Sequence, residues 1–238
     1  DEQTFDKSNI NRVYGSRLTD QGAPKVDLMS RLAADIGLGT VVETHHGSIV
    51  RPSVFRHLLD LDVVFGCTDG EWARSYLERL PTWYYVPVVD MGVMIDAPGG
   101  RLRSIQGRVT ILQPGTACLS CRGRIEPARV RAESLSFTDP DEANKLRKEG
   151  YLEGLEEPAP SVVPFTTTIA ATAVSELLHR ITGFLGGERE TSEVLQLFDS
   201  QRVRTNNRAG IRGCICTRRD RWGYGDRSLM MGMTWVEE

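Results

Sequence analysis

The sequence has no apolar run approaching the ~20 residues of a membrane span, and no signal-peptide core lies at its start; the expectation is a soluble, cytoplasmic protein without a membrane partner. It also lacks an excess of one charge. Lys and Arg total 29 against 32 Asp and Glu, a formal net charge of −3, which argues against binding nucleic acid or any other polyanion over a broad surface. Arginines near both cysteine groups still leave local anion sites open. Nor is there a disulfide framework. Of five cysteines, four form two close pairs, Cys118/Cys121 and Cys214/Cys216, which suits metal ligation in a reducing compartment better than an oxidised scaffold. The remaining composition, 40% hydrophobic and 26% charged, is that of an ordinary globular chain.

The stretch Leu61 to Arg74 organises what is present. Asp62 to Gly66 is expected to be a short buried strand that breaks into the turn Cys67-Thr68-Asp69-Gly70 and then a helix from Glu71. This places Asp69 at the carboxyl end of a strand, where open α/β sheets bind ligands and the next helix offers its first N–H groups. An acid there either caps the helix or holds a cation between itself and an anionic ligand.

Before this stretch, Ser8 to Arg12 groups two amides and a guanidinium, a set suited to phosphate or ribose oxygens as well as to a polar surface loop. Val26, Met29, Leu32, Ala33 and Ile36 recur at helical spacing, with Gly37 and Gly39 as stop signals and Pro24 in the first turn. Lys25 thus sits at a helix start, where the dipole disfavours a cation, so it either points to water or meets an anion. Thr40 to Thr44 reads as a strand. His45 and His46, neighbours that would point to opposite faces of it, read as structural. Val54, Leu58 and Leu59 suggest a short helix.

After it, a helix carrying Trp72, Tyr76, Leu77 and Leu80 should end at Pro81, followed by strands at Val86 to Met94, Arg101 to Leu112 and Glu193 to Phe198. The alternation predicts an α/β fold with a Rossmann-like, mostly parallel sheet, helices on both faces and a mixed edge. Residues 126–160 read as an irregular excursion with one modest helix around Glu142 to Glu149. Thr166 to Thr168 should cap a long helix closed by Gly183. Cys-x-x-Cys at Cys118/Cys121 suits a metal or a redox pair; with Cys214/Cys216 a four-thiolate zinc site tying the C-terminal part to the sheet is the economical reading. The final residues, with Met230, Met231, Met233 and Trp235, form a candidate docking tail. A domain of residues 1–213 with a zinc-linked tail at 214–238 follows.

Several landmarks in one order resemble the family of ubiquitin-activating-like adenylating enzymes that includes ThiF, MoeB and HesA. They are Asp1; SNINR at Ser8 to Arg12; QGAPKV with Lys25; CTDG with Asp69, then Arg74; PGTACLSC; the helix VVPFTTTIAATAVSELLHRITG; and the last cysteine pair. The resemblance implies ATP-dependent adenylation, with magnesium, of the C-terminal carboxylate of a ubiquitin-like protein or peptide, by a homodimer. It further implies that Asp1 holds the ribose, that Asn9, Arg12 and Lys25 hold the phosphates, and that Asp69 binds magnesium. It assigns the crossover segment, residues 126–160, to passing over the partner's tail.

Two departures accompany it. No strand, glycine-rich turn and helix precede Asp1, so the expectation is that the first unit of the nucleotide fold lies outside this chain. No cysteine lies between Gly123 and Val163, so activation without an enzyme thioester is expected, unless a cysteine elsewhere in a longer protein supplies one. Cys67 is expected to be packing beneath the site. The rival readings are a non-catalytic family member that forms the structural half of a dimer, and a zinc module that binds nucleic acid through arginines such as Arg202, Arg204, Arg218 and Arg219, which the net acidity opposes.

Overall fold

The computed structural model describes residues 1–149, 162–187, 191–227 and 229–233. Helix α1 (Lys25–Ile36) starts after Pro24 and ends where Gly37 takes the left-handed conformation, φ 75°. Helix α2 (Pro52–Phe55) and a following 3-10 turn lead to strand β1 (Val64–Gly66). Helices α3 (Glu71–Leu77) and α4 (Leu80–Trp83) then connect β1 to β2 (Val88–Asp96). A tight turn through Pro98–Gly100 joins β2 to β3 (Ser104–Leu112). Next come α5 (Pro127–Thr138), α6 (Pro140–Lys148) and α7 (Val163–Thr182), then strands β4 (Glu193–Leu197) and β5 (Arg202–Asn206).

The five strands form one sheet in sequence order. Only β1 and β2 are parallel, while β2–β3, β3–β4 and β4–β5 are antiparallel. The α/β class and the helices on both faces stand, but the expected mostly parallel sheet does not. A parallel pair needs a crossover long enough to return the chain to the same end. Helices α3 and α4 supply one between β1 and β2, whereas β2 to β3 and β4 to β5 are joined by short turns that can only reverse direction.

Val89, Val109, Ile111 and Val194 project from one face onto Ile169 and Ala173 of α7. That helix lies so close to β3 that a Cβ on Gly107 would stand 2.2 Å from Ile169 Cδ1. The opposite face carries Val64, Val88 and Leu112 against Tyr76 and Leu77 of α3, Leu80 of α4, and Leu119. Met230 and Met233 join that cluster, so the last described residues are packed into the core. Among the described residues no helix is long and apolar enough to cross a membrane.

Several local expectations change. Residues 40–44 form no strand; Val41 is 94% exposed, and β-branched composition yields a strand only where a neighbour completes the ladder. The helix after the central turn ends at Leu77, and Pro81 instead lies in the first turn of α4, a position where a missing N–H costs nothing. Helix α7 begins at Val163, with Pro164 in its first turn. Two of the threonine hydroxyls expected to cap it bond backward, Thr166 Oγ1 to the Val163 carbonyl (3.1 Å) and Thr168 Oγ1 to the Pro164 carbonyl (2.7 Å). The supposedly irregular stretch after Glu126 contains α5 and α6; Gly154, Pro158, Pro160 and Trp235 lie outside the described residues.

Candidate functional site

The turn Cys67 to Gly70 follows β1 directly, and α3 begins at Glu71. Asp69 is exposed on this turn, and Gly70, not Asp69, is the N-cap residue of α3 and makes no side-chain cap bond. The acid that caps α3 comes from elsewhere. Glu133 of α5 accepts from the Trp72 N–H (2.8 Å), and a Cβ on Gly70 would stand 3.0 Å from Glu133 Oε2. Trp72 also meets Phe137 edge-on, with ring centroids 5.3 Å apart. The expectation that α3 offers a free N-terminus is corrected on this point: a carboxylate satisfies the N–H of its second residue. The residue signal was the glutamate on the buried side of α5, but nothing in the sequence pairs it with Trp72. Cys67, expected to be packing, is exposed.

The other candidate ligands lie on the N-terminal segment. Residues 3–5 pair with residues 22–25: Phe5 N–H donates to the Ala23 carbonyl (2.7 Å), Gly22 N–H to Phe5 (2.9 Å) and Lys25 N–H to Gln3 (3.0 Å). Asp1 Oδ1 accepts from the Gln3 N–H (2.9 Å), and Lys25 Nζ donates to Gln3 Oε1 (2.5 Å), so Gln3 joins Asp1 to Lys25. Arg12 Nη1 donates to the Ser8 carbonyl (3.2 Å) and Asn9 Nδ2 to Ser8 Oγ (3.3 Å), so Ser8 joins Asn9 to Arg12. Among the described residues no hydrogen bond or ion pair links Asp69 to Asn9, Arg12 or Lys25. Two cations therefore rest on neutral oxygens, which leaves their charge available to an anion.

Beneath the Asp69 turn a polar row crosses the sheet. Register aligns Gly66 with Asp90, Asp90 with Thr110, Thr110 with Glu193 and Glu193 with Asn206. Asp90 is fully buried between two guanidiniums: Arg108 Nη1 bonds its Oδ2, and Arg74 Nε stands 3.3 Å from its Oδ1. Burial pulls the Arg74 guanidinium below its ordinary value and Asp90 opposes this; Arg108, Asp69 and Glu71 also act on it. Further along, Thr110 Oγ1 donates to Glu193 Oε1 (3.3 Å). Arg122 donates to Glu193 Oε2 (3.2 Å), Asn206 Oδ1 (2.9 Å), Ser192 Oγ (2.7 Å) and the Ala117 carbonyl (3.2 Å). Sequence reading assigned no role to Asp90, Arg108, Glu193 or Arg122. The available signal was a charge interrupting an apolar strand, as in VVDMGV, but the register that aligns such charges cannot be read from one strand.

Arg122 links this row to the cysteines. Cys118 precedes the turn Ser120–Arg122 and Cys121 lies within it, while Cys214 and Cys216 sit on a loop tied to it by the Ala117 N–H bond to Arg208 (3.1 Å) and a bridge between Thr116 and Ala209. The Sγ atoms of Cys118 and Cys214 are 3.7 Å apart and those of Cys121 and Cys216 3.6 Å apart, and all four lie within 4.8 Å of one another. Thiolates bound tetrahedrally at about 2.3 Å stand about 3.8 Å apart, so the four fit one metal ion. Hydrogen bonding by Cys118 pulls the Cys216 thiol below its ordinary value. The same bond, then burial, pushes Cys118 up, and the Ile211 N–H donates to Cys121 Sγ (3.3 Å). Gly210 is required here, since its Cβ would stand 2.7 Å from Cys216 Sγ. A smaller group, Glu43, His45 and His57, also brings ligand atoms within 4.8 Å, but the two imidazoles stack at 3.9 Å with 23° between planes. Near-parallel rings aim their lone pairs side by side instead of at one ion.

A mixed α/β sheet, an acid on the turn after its parallel strand and a four-thiolate cluster behind a buried ionic row define a nucleotide-fold type of α/β protein. The sequence profile of the ThiF family matches residues 1–212, and the chain belongs to that family. No curated protein matches it by sequence. Among solved structures, Escherichia coli MccB with ATP superposes with a TM-score of 0.63 at 12% identity, covering 91% of this chain and 57% of MccB. MccB with AMPCPP and selenomethionine MccA gives 0.60 at 13% identity, covering 91% and 57%. Selenomethionine PaaA gives 0.54 at 16% identity, covering 87% and 62%. The chain thus spans a little over half the length of MccB, and these likenesses establish the fold.

Proposed function

We propose that this protein catalyses ATP-dependent adenylation of the C-terminal carboxylate of a peptide or ubiquitin-like protein, releasing pyrophosphate. Family membership over residues 1–212, with Asn9, Arg12, Lys25 and the strand-end Asp69 retained in order, carries this reading. MccB, of the same fold, has been solved with ATP and with the MccA peptide.

In this scheme Asp1 holds the ribose hydroxyls. Arg12 and Lys25, whose present partners are the neutral oxygens of Ser8 and Gln3, exchange them for phosphate oxygens, and Asn9 adds a donor. Asp69 would hold magnesium, and the ion would supply Lewis acidity to the reaction at phosphorus. The partner's carboxylate oxygen bonds to the α-phosphorus as the bond to the pyrophosphate oxygen breaks, and cations placed in advance where charge gathers lower the barrier. Cys118, Cys121, Cys214 and Cys216 would hold zinc, which would tie the chain from Cys214 onward to the 1–213 domain. Helix α5, already seated against the Asp69 turn through Glu133, begins the crossover segment that covers the substrate's tail. We assign the protein a homodimeric state and a cytoplasmic location, and no thioester step in this chain.

The test is pyrophosphate exchange into ATP by the full-length protein with peptides ending in free carboxylates. Asp69→Ala should lower it by about two orders of magnitude or more. Undiminished exchange in that variant rejects the assignment. Failure of the full-length protein to bind ATP favours instead a non-catalytic dimer partner, for which the neutral partners of Arg12 and Lys25 would be the resting state.

A further inference from the structure

Asp90 is a fully buried carboxylate, and such a charge is tolerated only where cations and hydrogen bonds replace its water. Arg108, on the adjacent strand, already supplies one. The second guanidinium comes from outside the sheet, and the sheet is shaped to admit it: a Cβ on Gly92 would stand 3.0 Å from Arg74 Nη2. In that space Arg74 Nη2 donates to the Met91 carbonyl (3.3 Å), while Nε stands 3.3 Å from Asp90 Oδ1 as an ion pair without a hydrogen bond. Two guanidiniums share this one buried carboxylate, and the carboxylates of Asp69 and Glu71 also act on Arg74.

Arg74 also lies one helical turn from Gly70. Its own N–H donates to the Gly70 carbonyl (3.3 Å), the bond that closes the first turn of α3. On the other side Gly66, opposite Asp90 in the register, brings β1 close to α3: its Cβ would stand 3.1 Å from Leu77 Cδ1 and 3.5 Å from Asp90 Oδ1. A seven-residue helix held at both ends in this way moves as a body, so displacing Arg74 displaces Asp69.

We infer that Asp90 is a positioning residue for the adenylation site: acting through Arg74, it fixes the first turn of α3 and thereby the Asp69 carboxylate that receives the divalent cation of the nucleotide. The inference rests on the proposed adenylating function, since only that reading places a cation at Asp69. Arg108 pairs with Asp90 from within the sheet, on β3.

The experiment uses the full-length protein, AMPCPP as nucleotide and Mn2+ as a paramagnetic substitute for magnesium, with Mn2+ affinity read by electron paramagnetic resonance. Asp90→Asn should weaken Mn2+ binding about tenfold or more, because misplacing a ligating group by about 1 Å carries penalties of this order. In an Arg74→Met background the same change should add less than about twofold, since residues acting in series are not additive. Gly92→Ala, which removes no charge but crowds Arg74, should weaken Mn2+ binding several-fold with the fold retained, and it stands in for Asp90→Asn should that variant not fold. Folded variants with Mn2+ affinity within about twofold of wild type, or additive losses in the double variant, overturn the positioning role and leave the functional reading intact. Failure of the wild-type protein to bind Mn2+ with AMPCPP rejects the functional reading itself and the positioning role with it.

Discussion

Residues 1–25 carry Asp1, Asn9, Arg12 and Lys25, while residues 66–122 and 192–216 carry the Asp69 turn, the ionic row and the cysteines, and the two regions are held to the molecule by different physics. The first is attached by main-chain pairing with itself, by buried Phe5, by the Asp20–Arg31 ion pair at 2.7 Å and by the Tyr14 hydroxyl on Thr167 (2.6 Å). Most of its polar contacts are local and exposed. The second is interlocked through buried charges whose partners come from distant segments, such as Arg122 with Glu193 and Asn206. Exposed pairs contribute little because water and salt screen them, whereas breaking a buried pair strands a charge. The donors proposed for phosphate thus lie on the adjustable wall, and the proposed cation ligand on the rigid one.

Metal removal should separate the two walls most. If the four thiolates hold zinc, chelation or Cys216→Ser should lower the melting temperature by about 15 °C or more, since structural zinc contributes about 10–16 kcal/mol of binding free energy in small zinc modules. Hydrogen exchange at β5 and the loop after it should accelerate while that of residues 3–25 stays unchanged. Mass-spectrometric metal analysis of the purified protein gives the stoichiometry. Equal acceleration in both regions would erase the distinction between them.

Next in size is Arg122→Met. Burial lowers this guanidinium below its ordinary value, with Glu193 opposing the shift, so the side chain is held charged by its partners. Removing it leaves Glu193 buried with Asn206 Nδ2 (2.6 Å) and with Arg124 at 3.9 Å. A loss of about 3–5 kcal/mol is expected, a fall of about 6–20 °C for a chain of this size, measured by thermal unfolding. Replacing Arg122 and Glu193 together by apolar residues should cost less than Arg122→Met alone; a greater loss would mean that the pair attracts more than its desolvation costs.

The same contrast explains what could be read from the sequence. Helical periodicity with a glycine stop located α1 and the body of α7, and cysteine spacing anticipated the four-thiol cluster, because these features depend on neighbours within a few residues or on one side-chain chemistry. Sheet direction and the ionic row were not legible. Asp90, Thr110 and Glu193 become neighbours only through the register between strands, and β5 carries no sequence signal because its exposed Arg202, Val203 and Arg204 show no apolar alternation toward a core. Val41 and Thr44 had strand composition without a strand to pair with.

The smallest effect is expected in the adjustable wall, under acid. Asp6 accepts from the Ser8 N–H (2.8 Å) and from Gln21 Nε2 (3.2 Å). Hydrogen bonding by the Ser8 side chain, then by its main chain and by Gln21, holds the Asp6 carboxyl at about 2, below its ordinary 3.8. A depressed folded-state value means that the stabilisation is fully present above about pH 4 and is lost as pH falls through about 2. The Ser8 amide resonance should titrate with a midpoint near 2, and Asp6→Asn should abolish that titration while shifting the neutral-pH melting temperature by less than about 2 °C, the response expected of an exposed local contact in a chain of this length. A fall as large as that caused by Arg122→Met would show that the segment bearing Asn9 and Arg12 is part of the cooperative core, and the proposed donors could then not adjust to a nucleotide without loosening the whole fold.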